Sequence, residues 1–235
     1  MAETTIRTKR GKVPAIPATF DMGSAVRNIL RVWDSVATEE HREHGARWYS
    51  CAYDECMRIA IATGLRPVVV VGVMAALSPA NRWDRNVTDC AALCGAFVTG
   101  GLPAAQLVKV CTYGPNKTKA LLILVSDELP RVPGTCWKAR ADNIAGIVYG
   151  SAGRKLRSFF HCILAAGDTA DSCIDGHAWG IAHADRKSMN AVPSLSASRY
   201  AALQVAYTRA ARERGTSACT MQAATWVAWR DHHNV

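Results

Sequence analysis

Lys155 stands one residue past Arg154 at the start of an apolar helical pattern, "RKLRSFFHCIL", and the loop after that pattern carries Asp175 and His177 in "CIDGHAW". A lysine amine attacks an electrophile only in its unprotonated form, and a carboxylate across a site can take its proton or stabilise positive charge that develops during reaction. Positive charge at a helix N-terminus opposes the helix dipole, so Lys155 is out of place in a helix start that only packs. An amine held against that field and drawn partly out of water releases its proton more easily and becomes the attacking group. Each residue also has a plain structural use, Lys155 as a solvated phosphate contact and Asp175 as the N-cap of a helix beginning near His177. Before Lys155 the chain reads "YGSAGRK". A glycine-containing turn between two helices presents its backbone N–H groups, and those of the second helix's first turn, to an anion. Gly150, Ser151, Gly153, Arg154 and Arg157 are therefore candidate phosphate-gripping residues.

The elements that must position these residues follow from hydrophobic spacing. The hairpin would pair a helix over 137–148 with one over 154–165. Upstream, Val26, Ile29, Leu30 and Trp33 recur at helical spacing behind Ser24 as N-cap, and a second helix runs from Glu39 to Thr63 and stops at Gly64. The run over 66–77 holds four consecutive valines, which suits a strand; no hairpin partner or alternating run occurs elsewhere, and helix is the better reading. Further helices are expected over 86–97, closed by Gly100 and Gly101, and over 102–110, 117–126, 198–214 and 220–230. The reading is an all-α protein of about ten helices, one globular unit over 21–235 behind a flexible basic arm, 1–20, that carries Arg7, Lys9, Arg10 and Lys12.

A net charge of +9, spread along the chain, points to a polyanionic partner, with a merely solvated basic face as the plain alternative. The nine cysteines are odd in number and most fall inside apolar helical patterns, so buried free thiols are expected instead of a disulfide framework. Cys51 with Cys56 and Cys90 with Cys94 are isolated pairs without a second half, and neither a metal nor another cofactor is expected. No window approaches the roughly 20 uncharged apolar residues that a membrane span needs. The first residues lack the apolar core of a secretion signal, so an intracellular, cytoplasmic monomer is expected.

"AGRKLRSFFHCIL" followed by "CIDGHAWGIAHADR" resembles the helix-hairpin-helix DNA glycosylases of the endonuclease III type, whose hairpin reads LPGVGxKTA and whose next loop reads VDTHV followed by an arginine. Lys155 falls on the lysine that attacks the sugar C1′ in that family, Gly153 on the second hairpin glycine, Asp175 on the essential aspartate and His177 on the loop histidine. A second segment, "VMAALSPANRWDRNVTDCAAL", is similar to the family's LIxxxLSxQxxDxxVNxAxxxL, with Leu77, Ser78, Asp84, Asn86 and Val87 carrying the match across a one-residue slip. There Asn81 falls on the polar loop residue that wedges into the base stack. Three departures stand out: Ser151 replaces the first hairpin glycine, the Leu-Pro before it is absent, and no C-terminal four-cysteine cluster is present to hold the iron–sulfur cluster of many relatives.

The resemblance covers residues 66–190 and implies a two-lobed glycosylase fold acting on double-stranded DNA with a modified or damaged base. It implies base excision through a lysine Schiff base, with AP-lyase activity. Two alternatives stay open: a phage-type enzyme on the same fold that acts on the exocyclic group of a hypermodified thymine, and a non-catalytic hairpin protein that only grips DNA. Trp137, Trp226 and Trp229 either fill the core or line a base pocket, and core is the reading for at least two of them.

Overall fold

A computed structural model describes residues 16–128, Ile144, Gly146, 153–188 and 191–234. Among these the protein is all-α, as expected, with nine helices: α1 (Met22–Ser35), α2 (Glu39–Thr63), α3 (Pro67–Leu77), α4 (Trp83–Leu107), α5 (Gly114–Glu128), α6 (Arg154–Leu164), α7 (Gly176–His183), α8 (Ala197–Glu213) and α9 (Ala218–His233). Most of the basic arm, the expected hairpin helix over 137–148 apart from Ile144 and Gly146, including Trp137, and the turn residues Gly150 and Ser151 lie outside the described residues.

The helix boundaries have local causes. α1 starts two residues before Ser24, because the cap is Asp21, whose carboxylate accepts the Ser24 N–H at 2.9 Å. α2 opens on a reciprocal cap in which Thr38 Oγ1 accepts the His41 N–H at 3.2 Å and His41 Nδ1 accepts the Thr38 N–H at 3.1 Å. It ends where Gly64 takes a left-handed conformation, as expected. The valine run is helical: from Val69 to Leu77 every residue of α3 is buried, and burial outweighs the modest helix penalty of β-branched side chains.

The helices expected over 86–97 and 102–110 are two limbs of α4, which departs from helical geometry at Gly100 and Gly101. Gly101 sits at φ 66°, a conformation that glycine adopts without the steric cost of a β-carbon. By length and composition α4 is apolar enough to cross a membrane, with mean hydropathy 1.4, which corrects the reading that no such stretch exists. The break at Gly100 and Gly101 falls inside it.

Two apolar cores result. One gathers α2, α3, α4, α5 and α6; the other gathers α1, α7 and α8. α9 belongs to both, with Cys219 and Ala223 in the first and Met221 and Trp229 in the second. Of the eight described cysteines six are buried and all are free thiols, as the sequence pattern predicts. Of the three tryptophans read as either core or cavity, Trp229 is a core residue.

α9 crosses α2 with backbones in contact: a β-carbon at Gly45 would overlap the Cα of Ala224. Beside the crossing the Tyr49 hydroxyl hydrogen-bonds Gln222 Oε1 at 3.0 Å in a buried setting. Gly45→Ala gains about 1 kcal/mol of helix preference, but overpacking against a backbone that cannot yield costs about 3 kcal/mol or more. The variant is expected to lose about 2 kcal/mol and melt roughly 4–8 °C lower, measured by thermal unfolding followed by circular dichroism.

Candidate functional site

Beside the first core the protein carries an open cavity of about 690 Å³. Lys155, Asp175, His177 and Asn81, far apart in sequence, all line it. They arrive from four places: the first turn of α6, the loop before α7, the start of α7, and the loop between α3 and α4.

Asp175 is the N-cap of α7, its Oδ1 accepting the Ala178 N–H at 2.8 Å. Its Oδ2 accepts the indole N–H of Trp226 at 3.0 Å, which ties the loop to α9. The neighbouring backbone is held as well: the Ile174 N–H donates to the Tyr200 hydroxyl at 3.0 Å, and the Cys173 thiol lies 3.7 Å from the Lys155 carbonyl. The carboxylate is therefore fixed in direction on both oxygens. Lys155 is exposed, so the partial desolvation expected of its amine is not found. The Lys155 amine makes no hydrogen bond or ion pair with a described residue, Asp175 included.

Cys173 also lines the cavity, yet it is no nucleophile at neutral pH. Burial pushes its thiol up to about 12, against the pull of the Lys155 charge and with the help of Asp175. Burial likewise lowers His177; Asp175 opposes that shift, while Arg230 and Lys155 add to it, leaving a neutral imidazole at pH 7.

Aromatic rings form much of the remaining wall. Trp48 of α2 lies 5.1 Å from Trp83, 5.9 Å from Phe159 and 6.0 Å from Trp226, centroid to centroid. Trp226 is thus a cavity residue and not core, and the Arg230 guanidinium lies over its face at 4.6 Å. Arg82 and Lys155 both line the cavity, and both are exposed.

The Asn81 loop is pinned by Asp89, which is 2% exposed. Its carboxylate accepts from Asn81 Nδ2 at 3.1 Å, Arg85 Nε at 2.7 Å and the Cys111 N–H at 2.7 Å. Asn81 is therefore anchored into the wall by its amide. Gly153 is the N-cap of α6 and no side chain caps that helix start. Arg154 and Arg157 stand outside the cavity on α6, and Arg157 helps hold the Asp171 carboxylate ionised.

Trp48, Trp83, Phe159, Gln222 and Arg230 carry no motif and were missed by sequence reasoning. Most come from α2 and α9, outside the segments that carry the resemblance. Asn86 was read only as part of a motif, yet it too lines the cavity.

Over residues 16–233 the chain belongs to the family of unknown function DUF7178. No curated protein and no solved structure matches it.

The loop that delivers Asp175 is braced at its start by Asp171, whose Oδ2 meets His161 Nδ1 at 2.9 Å and whose Oδ1 accepts from Gln204 Nε2 at 2.9 Å. Burial raises the Asp171 carboxyl, but the His161 and Gln204 hydrogen bonds and the Arg157 charge outweigh it and hold it below the ordinary carboxylate value. A carboxyl lowered by folding contributes stability that is complete above its unfolded value of about 4 and is lost as pH falls through the folded value. Denaturant unfolding across about pH 6 to about pH 3 is expected to show a steeper loss below about pH 4 for the wild type than for Asp171→Asn, which is the less stable of the two at neutral pH. Parallel curves for the two proteins would contradict this role.

Proposed function

We propose that this DUF7178 protein acts on a modified or damaged base in double-stranded DNA. It takes the base out of the stack into the aromatic-walled cavity and cleaves its N-glycosidic bond, with strand nicking by AP-lyase chemistry. One observation carries the reading: Lys155 and Asp175, the pair expected to react, share a cavity with Asn81, which comes from the other matched segment.

The cavity volume, about 690 Å³, lies in the range of small-ligand sites and admits a nucleobase with its sugar. Trp48, Trp83, Phe159 and Trp226 offer faces on which any base can stack, which offsets the few kcal/mol that unstacking costs. Arg82, Lys155 and Arg230 give the opening positive charge for the flanking phosphates, within a chain of net charge +9. The neutral His177 serves as a hydrogen-bond partner and not as a cationic phosphate clamp.

In this reading the Lys155 side chain first gives up a proton to solvent, and the freed lone pair of its amine forms a bond to C1′ while the C1′–N bond to the base breaks. The base leaves with that electron pair and takes up a proton. Asp175, held by Ala178 and Trp226, stabilises the positive charge that develops at C1′. The sugar ring then opens: the C1′–O4′ bond breaks, O4′ takes a proton, the nitrogen loses one, and a Schiff base remains. Loss of a C2′ proton expels the 3′ phosphate by β-elimination.

A second reading has an observation of its own. Asp175 is engaged on both oxygens, by the helix it caps and by Trp226, and Lys155 is exposed, which suits a protein that only grips phosphate. Borohydride reduction during incubation with duplexes that carry abasic, oxidised, deaminated, alkylated or hypermodified sites separates the two. The expected result is a covalent protein–DNA adduct on one class, absent in Lys155→Ala, which still binds the duplex. Asp175→Asn is expected to slow the reaction by about 100-fold or more. An absence of adduct on every duplex defeats base excision, and an unchanged Asp175→Asn favours the non-catalytic protein. Conversion of a hypermodified base without its release would assign the reaction to the base's exocyclic group.

A further inference from the structure

His177 lines the cavity and commits neither ring nitrogen to the fold. Both nitrogens lack a hydrogen bond to any described residue, and neither is closed off from the surface. Three other described histidines each spend a ring nitrogen on a structural contact: His41 on the Thr38 N–H, His161 on Asp171 and His183 on the Trp179 carbonyl. His177 instead meets the Trp226 ring in an edge contact, centroids 6.3 Å apart.

The other ionisable groups of the wall are poor proton acceptors near neutral pH. Arg82 and Arg230 are guanidinium groups, which stay charged. Burial pushes the Tyr49 hydroxyl up, as it does the Cys173 thiol, so both hold their protons. Asp175 already receives an N–H on each oxygen. Asp84 is exposed at the start of α4, and carboxylates as a class are weak bases at pH 7. A general base works best when it titrates close to the working pH, which is the range of imidazole. Burial keeps the His177 ring neutral at pH 7, so one of its nitrogens is an acceptor in either tautomer.

The ring also stands within reach of the charge on the reacting amine. Lys155 from α6 and Arg230 from α9 both oppose its protonation, Asp175 favours it, and His177 in turn opposes protonation of His233 on α9. Of Cys173 and His177, the two cavity groups on which the Lys155 charge acts, the imidazole is the one that can take up a proton.

We infer that His177 is the base of the strand-nicking step and removes the C2′ proton from the Lys155 Schiff base. The inference rests on the base-excision reading above. C2′ is bonded to C1′, the atom that Lys155 holds. The C2′–H bond breaks, its proton passes to an imidazole nitrogen, and its electron pair forms a C1′=C2′ bond as the C=N electrons settle on the lysine nitrogen. That nitrogen's pair then re-forms C=N, the carbon double bond moves to C2′=C3′, and the C3′–O bond breaks with its electrons leaving on the 3′ phosphate. The imidazolium, favoured meanwhile by the Asp175 charge, returns its proton to water.

The test gives the full chain a duplex with one abasic site, on which Lys155 forms its Schiff base with no base to release. Borohydride trapping measures the adduct, and a denaturing gel measures the nick. His177→Gln, which keeps a hydrogen-bonding side chain without a titrating nitrogen, is expected to lower nicking per adduct about 100-fold or more. Imidazole added to His177→Ala is expected to restore nicking in proportion to its unprotonated form, a rescue that a merely structural role would not give. If both variants unfold, diethyl pyrocarbonate on the wild type takes their place: nicking is expected to fall in step with acylation of His177, located by mass spectrometry. Wild-type nicking per adduct in His177→Gln, absence of imidazole rescue, or full nicking by a chain acylated at His177 overturns the assignment and leaves the DNA reading intact. Absence of any adduct with the wild type overturns the base-excision reading and the inference with it.

Discussion

At Gly45 and Ala224 two helix backbones touch, and the spacing of the two cores follows from that contact. No side chain separates α2 from α9 there, so their flanking residues are brought to hydrogen-bonding range, as Tyr49 and Gln222 show at 3.0 Å. The same approach sets Trp48 of α2 6.0 Å from Trp226 of α9, and Trp226 in turn holds Asp175 through its indole N–H. A helix crossing thus becomes the position of a carboxylate. Widening the crossing by one methyl group would shift the tryptophan wall and the cap of α7 together.

Around the cavity, charge is handled by pinning. Asp89 is buried with three donors, and Asp171 is partly buried between His161 and Gln204. Each fixes a loop that delivers a cavity residue, Asn81 in one case and Asp175 in the other. The exposed ammonium of Lys155 is the exception, as it meets no described partner. A group that must move toward a substrate benefits from that freedom, and groups that must define a shape benefit from its opposite. Cys173 shows what burial does to a thiol beside a pinned carboxylate: it stays protonated at neutral pH.

Helix type and order were legible because apolar spacing and local caps decide them. The valine run of α3 read correctly as helix from the absence of any strand partner, and Gly64 marked the end of α2. The break in α4 was legible as a boundary but not as a kink, since two glycines stop a helix or bend one depending on what the flanking limbs pack against. Lys155, Asp175, His177 and Asn81 were legible through their two motifs. Trp48, Gln222 and Arg230 were not, because a cavity wall built from helices far apart in sequence leaves no local pattern. The expected desolvation of Lys155 also failed, for exposure at a cavity edge depends on neighbours that one helix cannot reveal.

The crossing of α2 and α9 has a consequence for how the chain is made. α2 is among the first helices to leave the ribosome and α9 the last of those described, so the contact that unites the cores spans most of the sequence. Contacts of such long range form late and slowly. Until residues 218–233 emerge, the α2 surface around Gly45 lacks the cover that α9 gives it, and the nascent chain carries an open apolar seam of the kind that chaperones bind.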